Sequence, residues 1–558
     1  MSTESRRRTE KLLQLDGQGL KQLVEASLAW LRYHQPAINA LNVFPVPDGD
    51  TGTNMLLTMQ SAWHEIENSP DENVSHIAQS IAHGALMGAR GNSGVILSQI
   101  WRGFARGLSG KKVLGAADLP PAMRAASETA YKGVLKPVEG TILTVSRAIA
   151  EGAELGFKEY DDLVHVLDRM VSHAREAVAN TPNQLEILKQ AGVVDSGGEG
   201  LTVILEGMLR YLHGESVEAD RVVEAAVDLK QVPPDAEVDA GDVAQGYSYD
   251  VQCLITGHDL DVEAARAQIA KMGLSTLVVG DTETIKVHVH VPRPSAVLAY
   301  AETIGRLNDV VVEDMAAQYQ QFLAGRTAPP IQAPTYNLKA GDIATLAVAP
   351  GEGLMRVFQS LGTTAIVPGG QTMNPSTQDF LRLLEATPTD RALLLPNNSN
   401  VIMAARQAAE LSQKQILVVP TRTIPQGIAA MLAFNDQRDL AANAQAMEAA
   451  AKHVKTGEVT TATRSVEFNG IKVAEGQIIG LLNDELTTAN ESVEGTVWAL
   501  LDQMGVSDLE IVTLYYGNGV TADQATGLAK AIQQRHAQLE VEVVDGGQPH
   551  YDYILSAE

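Results

Sequence analysis

The chain has 558 residues, 45% of them hydrophobic and 20% charged, and carries a formal net charge of −26. This length exceeds what one core supports and implies about three or four domains, and the acidity argues against a nucleic-acid binder, which needs clustered Lys and Arg. A single cysteine, Cys253, excludes an internal disulfide framework, and no stretch approaches about 18 uninterrupted apolar residues, so a cytoplasmic protein with no integral membrane segment is expected.

Residues 10–215 read as helix after helix, rich in Ala and Leu, the first spanning 17–41. Just after it comes Asn42-Val43-Phe44-Pro45-Val46-Pro47-Asp48-Gly49-Asp50-Thr51-Gly52-Thr53-Asn54, which two prolines keep from being helical. Asp48 and Asp50 flank a glycine in this bent loop. Hard divalent cations take oxygen ligands, and Mg²⁺ is held by one or two carboxylates plus substrate phosphates. The pair is expected to be exposed, so that removing either carboxylate would spare the fold. Asp-Gly alone is a common turn dipeptide.

Two more glycine loops follow. Gly88-Ala89-Arg90-Gly91-Asn92-Ser93-Gly94 separates helical periodicity over 76–87 from that over 95–108. Asp195-Ser196-Gly197-Gly198-Glu199-Gly200 leads into an apolar helix over 201–212. A Gly/Ser loop opening a helix presents N–H groups and the positive end of the helix dipole, which suits a phosphate. Each loop alone is an ordinary helix junction; three in one helical region, one of them doubly acidic, point to a nucleotide site with metal.

Residues 216–245 are acidic, include Pro233-Pro234, and are expected to be a linker. Strand runs at 251–256, 275–280 and 285–291, with a helix over 261–272, predict a small α+β domain over 246–326. A second linker is expected at 327–341. From 342 to 558, strands over 343–349, 391–395, 415–419, 509–516 and 541–543 alternate with helices and predict a largely parallel α/β sheet. Ligands in such sheets bind at strand C-termini, which directs attention to Gly369-Gly370-Gln371-Thr372 and Asn397-Asn398. No Walker A or Rossmann glycine fingerprint is present. In the middle domain His288 and His290 alternate on one strand face, and with a thiolate from a neighbouring strand they would make a zinc site.

The strings from Asn39 to Met55, Gly88 to Gln99, Lys136 to Val145 and Val194 to Leu201 resemble the nucleotide-binding domain of the dihydroxyacetone kinase L-subunit (DhaL) superfamily. More closely, with Val287-His288-Val289-His290, Leu395-Pro396-Asn397-Asn398-Ser399-Asn400, Pro420-Thr421-Arg422-Thr423 and Gly546-Gly547-Gln548-Pro549 in order, nearly the whole chain is similar to the kinase subunit of bacterial fatty acid kinase. The resemblance implies an antiparallel helical barrel with ATP at one mouth, followed by the small α+β and C-terminal α/β domains.

It further implies two Mg²⁺ ions held by Asp48 and Asp50, and phosphates cradled by Thr51, Gly52, Thr53, Asn54, Gly91, Asn92, Ser93 and Gly94. Glu139 and Thr141 would lie near the nucleoside, and Asp195 with Gly197 would close the far side. The superfamily has a third aspartate upstream, where this chain offers only Asn42. The family's middle-domain metal is held by His-x-His and a cysteine just after a Gly-Tyr pair. Here Ser248 follows Gly246-Tyr247, leaving Cys253, brought in by a register shift, or Asp250 as the third zinc ligand.

The implied reaction is phosphorylation of a fatty acid carboxylate, presented by a separate DegV-like fatty-acid-binding carrier docked through the C-terminal domain. The acyl phosphate product would feed phospholipid synthesis, and the kinase would be a homodimer. Two rivals stay open: a DhaL-type kinase of dihydroxyacetone or a related ketose or polyol, and a non-catalytic nucleotide-binding regulator.

Overall fold

The computed structural model of the protein describes residues 12–43, 49–134, 136–215, 249–257, 260–269, 271–280, 284–314, 338–339, 341–370, 374–462, 465–468, 471–506 and 509–558. The described chain forms two compact units, one of the helical and C-terminal parts together and one of the middle part.

In the helical part, α1 (Gly17–Leu41), α2 (Thr51–Ile66), α3 (Val74–Met87), α4 (Gly91–Gly107), α5 (Leu119–Gly133), α6 (Ile142–Glu159), α7 (Leu163–Gln184), the short α8 (Glu186–Ala191) and α9 (Ser196–Leu212) follow one another. A small ribbon of β1 (Gln14–Leu15) and β2 (Leu114–Gly115) ties the chain ahead of α1 to the α4–α5 connection. Helix starts carry the expected caps: Asp16 accepts from Gly19 N at 2.8 Å, Asn73 from Ser75 N at 2.9 Å and Asp162 from Val164 N at 2.9 Å. Each long helix packs on the next, and α9 returns to α1, closing a ring around a core that includes Leu31, Met59, Ile81, Leu97 and Met170, all at most 1% exposed. Burying each such side chain contributes about 2 kcal/mol. Up-and-down connectivity has one consequence for function. The C-terminal end of α1 and the N-terminal ends of α2, α4, α6 and α9 lie at the same mouth of the barrel.

In the middle unit, β3 (Tyr249–Thr256), α10 (Val262–Ile269), β4 (Leu274–Gly280), β5 (Thr284–Val291), α11 (Pro294–Ile304) and β6 (Arg306–Asp314) make a four-stranded antiparallel sheet with two helices, the strand order being β4-β5-β3-β6.

The C-terminal part contains two main sheets. β7 (Ile343–Ala349), β8 (Ala365–Pro368), β9 (Arg391–Leu395) and β10 (Gln415–Val418) form a parallel sheet in the order β10-β9-β7-β8, as predicted for this stretch. Helix α12 (Glu352–Ser360) joins β7 to β8, and α13 (Thr377–Ala386) joins β8 to β9. Beyond this sheet, β11 (Lys455–Thr461) is followed by a hairpin of β12 (Val466–Phe468) and β13 (Ile471–Val473). With β14 (Ile478–Leu482), β15 (Glu485–Asn490), β16 (Ile511–Tyr516), β17 (Glu540–Asp545) and β18 (Tyr551–Ala557), β11 forms a second sheet in which only β16 and β17 run parallel. The largely parallel sheet expected to the chain end is thus replaced by a mixed one. Hairpin chemistry accounts for one of its antiparallel pairs: Asn483 and Asp484 both have positive φ, 52° and 71°, the conformation of a tight turn that sets β14 and β15 antiparallel. Among the described residues no helix is long and apolar enough to cross a membrane.

Candidate nucleotide site

A cleft of about 230 Å³ opens at the barrel mouth where the four helix starts meet. Its walls are Asp50, Thr51 and Asn54 at the start of α2, Asn92 and Ser93 on α4, Thr141 and Ile142 on α6, and Asp195, Ser196 and Gly197 on α9, with Asn42 at the end of α1. Each helix start presents about half a positive charge. Four of them aimed at one space favour negative charge there, and α2 and α4 have no cap from their own N-cap side chains, Asp50 and Arg90.

Local sequence explains the close approach of these loops. Gly91 has φ of +56°, and a Cβ there would strike the Asn54 amide; a Cβ at Gly94 would strike the Thr58 hydroxyl. Glycine is what lets α4 begin against α2. Thr51 ties the elements together: its N–H and hydroxyl both donate to Asn42 Oδ1, at 3.1 and 2.5 Å, and its Oγ1 accepts from Ser196 at 3.1 Å. Ser93 donates to the Thr51 carbonyl at 3.5 Å. Asn42, expected as the upstream metal candidate, thus commits its side-chain oxygen to the start of α2.

Asp50 and Asp195, the two described carboxylates of the cleft, are not exposed. Asp50 is 6% exposed and accepts from Asn374 Nδ2 at 2.5 Å, a contact from the C-terminal part. The exposure expected of this carboxylate is therefore not found, and its removal would leave a buried amide unpaired. Asp195 is 5% exposed and accepts from Gly198 N at 2.7 Å as the cap of α9. Burial pushes its carboxyl from 3.8 up to about 7, against hydrogen bonds from Gly198 and Ile142 that pull it down. Asp48 lies outside the described residues.

Other expected residues are placed elsewhere. Gln35 and Asn39 donate to the Thr53 hydroxyl at 2.7 and 3.0 Å, holding it on α1; it does not line the cleft. A Cβ at Gly52 would meet Gln35 O, so this glycine serves helix packing. Glu139 also lies off the cleft wall: Arg147 donates to it at 2.9 and 2.7 Å, Thr144 at 2.6 Å and Tyr131 at 3.0 Å. The Arg147 guanidinium holds this carboxyl down at about 2.

Several wall residues lie within or beside the quoted motifs without having been given a role there. Ser196 lies within the third glycine loop, and Lys136 is an exposed cation on the wall just ahead of α6. Asn400 and Met403 come from the C-terminal part, which no local signal links to this mouth.

In the middle unit, β3 and β5 pair without interruption: Asp250 opposes His290, Gln252 opposes His288 and Cys253 opposes Val287. Parity puts Cys253 with buried Val251, Ile255, Val287 and Val289, on the sheet face opposite the register positions of His288 and His290. The register shift seen beside Gln252 concerns the pairing with β6, not β5. Burial raises the Cys253 thiol to about 11, the reverse of what a metal-binding thiolate needs. The β3–β5 pairing contains no register shift that would bring Cys253 round to the histidine positions. Among the described residues no cluster of three or more His, Cys, Asp and Glu could hold a metal.

Comparison with known proteins decides the family. Models described as fatty acid kinase FakA-like match the C-terminal residues 344–558 and the middle residues 246–322, and a DAK2 domain model matches 45–210. Protein YloV of Bacillus subtilis is 37% identical over 550 residues, covering 98% of this chain and 99% of that protein. The chain belongs to the FakA-like fatty acid kinase family. An uncharacterized Staphylococcus haemolyticus protein is 38% identical over 93% of this FakA-like chain and 95% of its own length. Among solved structures, a fatty-acid-binding DegV family protein from Thermus thermophilus covers 39% of this chain and 99% of its own, at 12% identity and a TM-score of 0.30, a likeness too distant to carry function.

Proposed function

We propose that the protein is the ATP-binding component of a fatty acid kinase, transferring the γ-phosphoryl group of ATP to a fatty acid carboxylate presented by a separate fatty-acid-binding protein. The observation that carries this is a cleft lined by four helix N-termini and two buried carboxylates, Asp50 and Asp195, in a chain of this family.

The described donors around the Asp50 end of the cleft are all oxygen or amide: the Asp50 carboxylate, the Thr51 and Ser93 hydroxyls, and Asn54. That set suits Mg²⁺, with Asp48 as the second carboxylate. Bound there, the ion would neutralise phosphate charge that otherwise repels an incoming anion. Helix N–H groups at α2, α4, α6 and α9 orient the triphosphate, and Lys136 adds a positive charge.

A fatty acid carboxyl, like Asp or Glu, ionises near pH 4–5 and is already the nucleophile at neutral pH. Its oxygen forms the new bond to the γ-phosphorus while the bond to the β,γ-bridging oxygen breaks, and ADP leaves with that electron pair. No proton needs removal, so positioning and charge compensation suffice. None of the described residues lining the cleft is a histidine, which is consistent with chemistry that needs no general base.

The test is to incubate the protein with ATP, Mg²⁺, a labelled fatty acid and a fatty-acid-binding carrier, then trap acyl phosphate with hydroxylamine. Carrier-dependent hydroxamate is the expected product. ATP turnover on dihydroxyacetone, or nucleotide binding with no transfer to any acceptor, would overturn the proposal.

A further inference from the structure

Asn374 lies in the loop ahead of α13, 324 residues from Asp50 in sequence, yet its side chain lies on that carboxylate. A carboxylate only accepts, so the amide nitrogen must face Asp50 and the amide oxygen must face elsewhere. Asn374 is 1% exposed, and its Oδ1 has no hydrogen-bond partner among the described residues. Buried amide oxygens are normally satisfied, because an unpaired one loses its hydration with nothing in return. A buried, orphaned acceptor on the same planar amide that grips the candidate metal-binding carboxylate indicates a missing donor there.

The described residues around this amide are firmly held. Ser376 and Asp379 cap α13 reciprocally, at 3.2 and 2.8 Å. Arg90, just before α4, donates to the Asn374 carbonyl at 2.7 Å and pairs with Asp379 at 3.6 Å. Thr377 N–H donates to the Ala89 carbonyl at 3.3 Å. Beside it, Asn92 Nδ2 donates to Asn400 Oδ1 at 2.8 Å. Beneath both contacts, Ala89 and Val95 share one apolar cluster with Leu346, Phe380 and Leu394. The start of α4 is thus part of the C-terminal core.

We propose that the C-terminal part completes the metal–nucleotide site within the same chain, with Asn374 as its positioning residue. Nδ2 fixes the Asp50 carboxylate, and Oδ1 would be free to accept from a donor that arrives with the divalent cation. The proposal rests on the reading of Asp50 given above, and it adds a specific role for the C-terminal part. That part carries a share of the phosphate end of the nucleotide site, in addition to any docking of an acyl carrier.

The test uses the full-length protein and Mn²⁺–ATP, with binding followed by calorimetry and by the electron paramagnetic resonance of free Mn²⁺, neither of which needs turnover. Asn374→Leu keeps the volume and removes both polar atoms. It should weaken Mn²⁺–ATP binding at least about tenfold, as loss of an orienting partner does in metal sites, and leave metal-free ATP binding in EDTA unchanged. Asn374→Asp keeps an acceptor and sets a second charge against Asp50. Its melting temperature should fall in EDTA and rise on adding Mn²⁺ by more than the wild type's does. Thr377→Val, at the same interface, should bind Mn²⁺–ATP as the wild type does.

Wild-type affinity in Asn374→Leu, or an equal loss in Thr377→Val, would show that the contact is only packing and overturn the inference. Should Asn374→Leu not fold, a metal-induced melting shift in Asn374→Asp no larger than the wild type's would overturn it equally. If the wild type shows no metal-dependent nucleotide binding at all, the functional reading falls and this inference with it. Metal-dependent binding in the wild type that is untouched in the variants refutes this inference alone.

Discussion

Replacing Asp195 by Asn should stabilise the nucleotide-free protein at neutral pH while damaging the site. The carboxyl is 5% exposed, and burial raises it from 3.8 to about 7 despite the Gly198 N–H at 2.7 Å. Between those values the folded state holds a proton that the unfolded state has released, so stability is full below about pH 4 and falls as the pH rises towards 7. A rise of about three units, at 1.36 kcal/mol each, corresponds to roughly 4 kcal/mol as an upper bound. Asn retains an acceptor for the α9 cap and caps helices about as well as Asp, so the change removes the charge and little else. Urea unfolding, followed through Trp30, Trp63 and Trp101 of the helical part, should show Asp195→Asn more stable than the wild type at pH 8 and indistinguishable at pH 4. An advantage that is absent at pH 8, or that grows towards acid, would refute the reasoning.

Other consequences follow from the same geometry. Asp50→Asn should abolish acyl phosphate formation, and Asp50→Ala should in addition cost about 1–3 kcal/mol in unfolding free energy because Asn374 loses its acceptor; a fully active Asp50→Asn would remove this residue from the site. Lys136→Met should raise the KM for ATP about fivefold, the worth of roughly 1 kcal/mol for a solvent-screened charge, with kcat little changed. Glu139→Gln should cost less than about 1 kcal/mol of stability, since the Arg147 pair is half-exposed, and change ATP affinity little, as measured by calorimetry. Cys253→Ser should lower the melting temperature by placing a hydroxyl among Val251, Ile255 and Val287, and elemental analysis should find its metal content equal to the wild type's.

The helical part is legible in the sequence because its signals are local. The first helix begins and ends where the pattern places it, at Gly17 and Leu41, and all three glycine loops are helix starts converging on one mouth. Spacing within a loop does not say which way a hydroxyl turns. Thr51 faces the cleft, and Thr53, two residues on, is held by Gln35 and Asn39. Cys253 is undecidable for a similar reason: its face depends on the β3–β5 register, which only pairing fixes. The β14–β15 hairpin does carry a local signal, Asn483-Asp484, but the alternation of strands and helices around it points to parallel pairing instead. Asn374 carries no local signal, since a contact spanning 324 residues leaves no trace in spacing.

The most direct test of the account is a crystal grown with Mn²⁺ and a non-hydrolysable ATP analogue, studied by anomalous scattering. The account predicts a manganese peak at about metal–oxygen bonding distance from Asp50, roughly 2.1–2.2 Å, with the phosphates against the first turns of α2, α4 and α9. Nucleotide bound elsewhere, with no manganese beside Asp50, would contradict it.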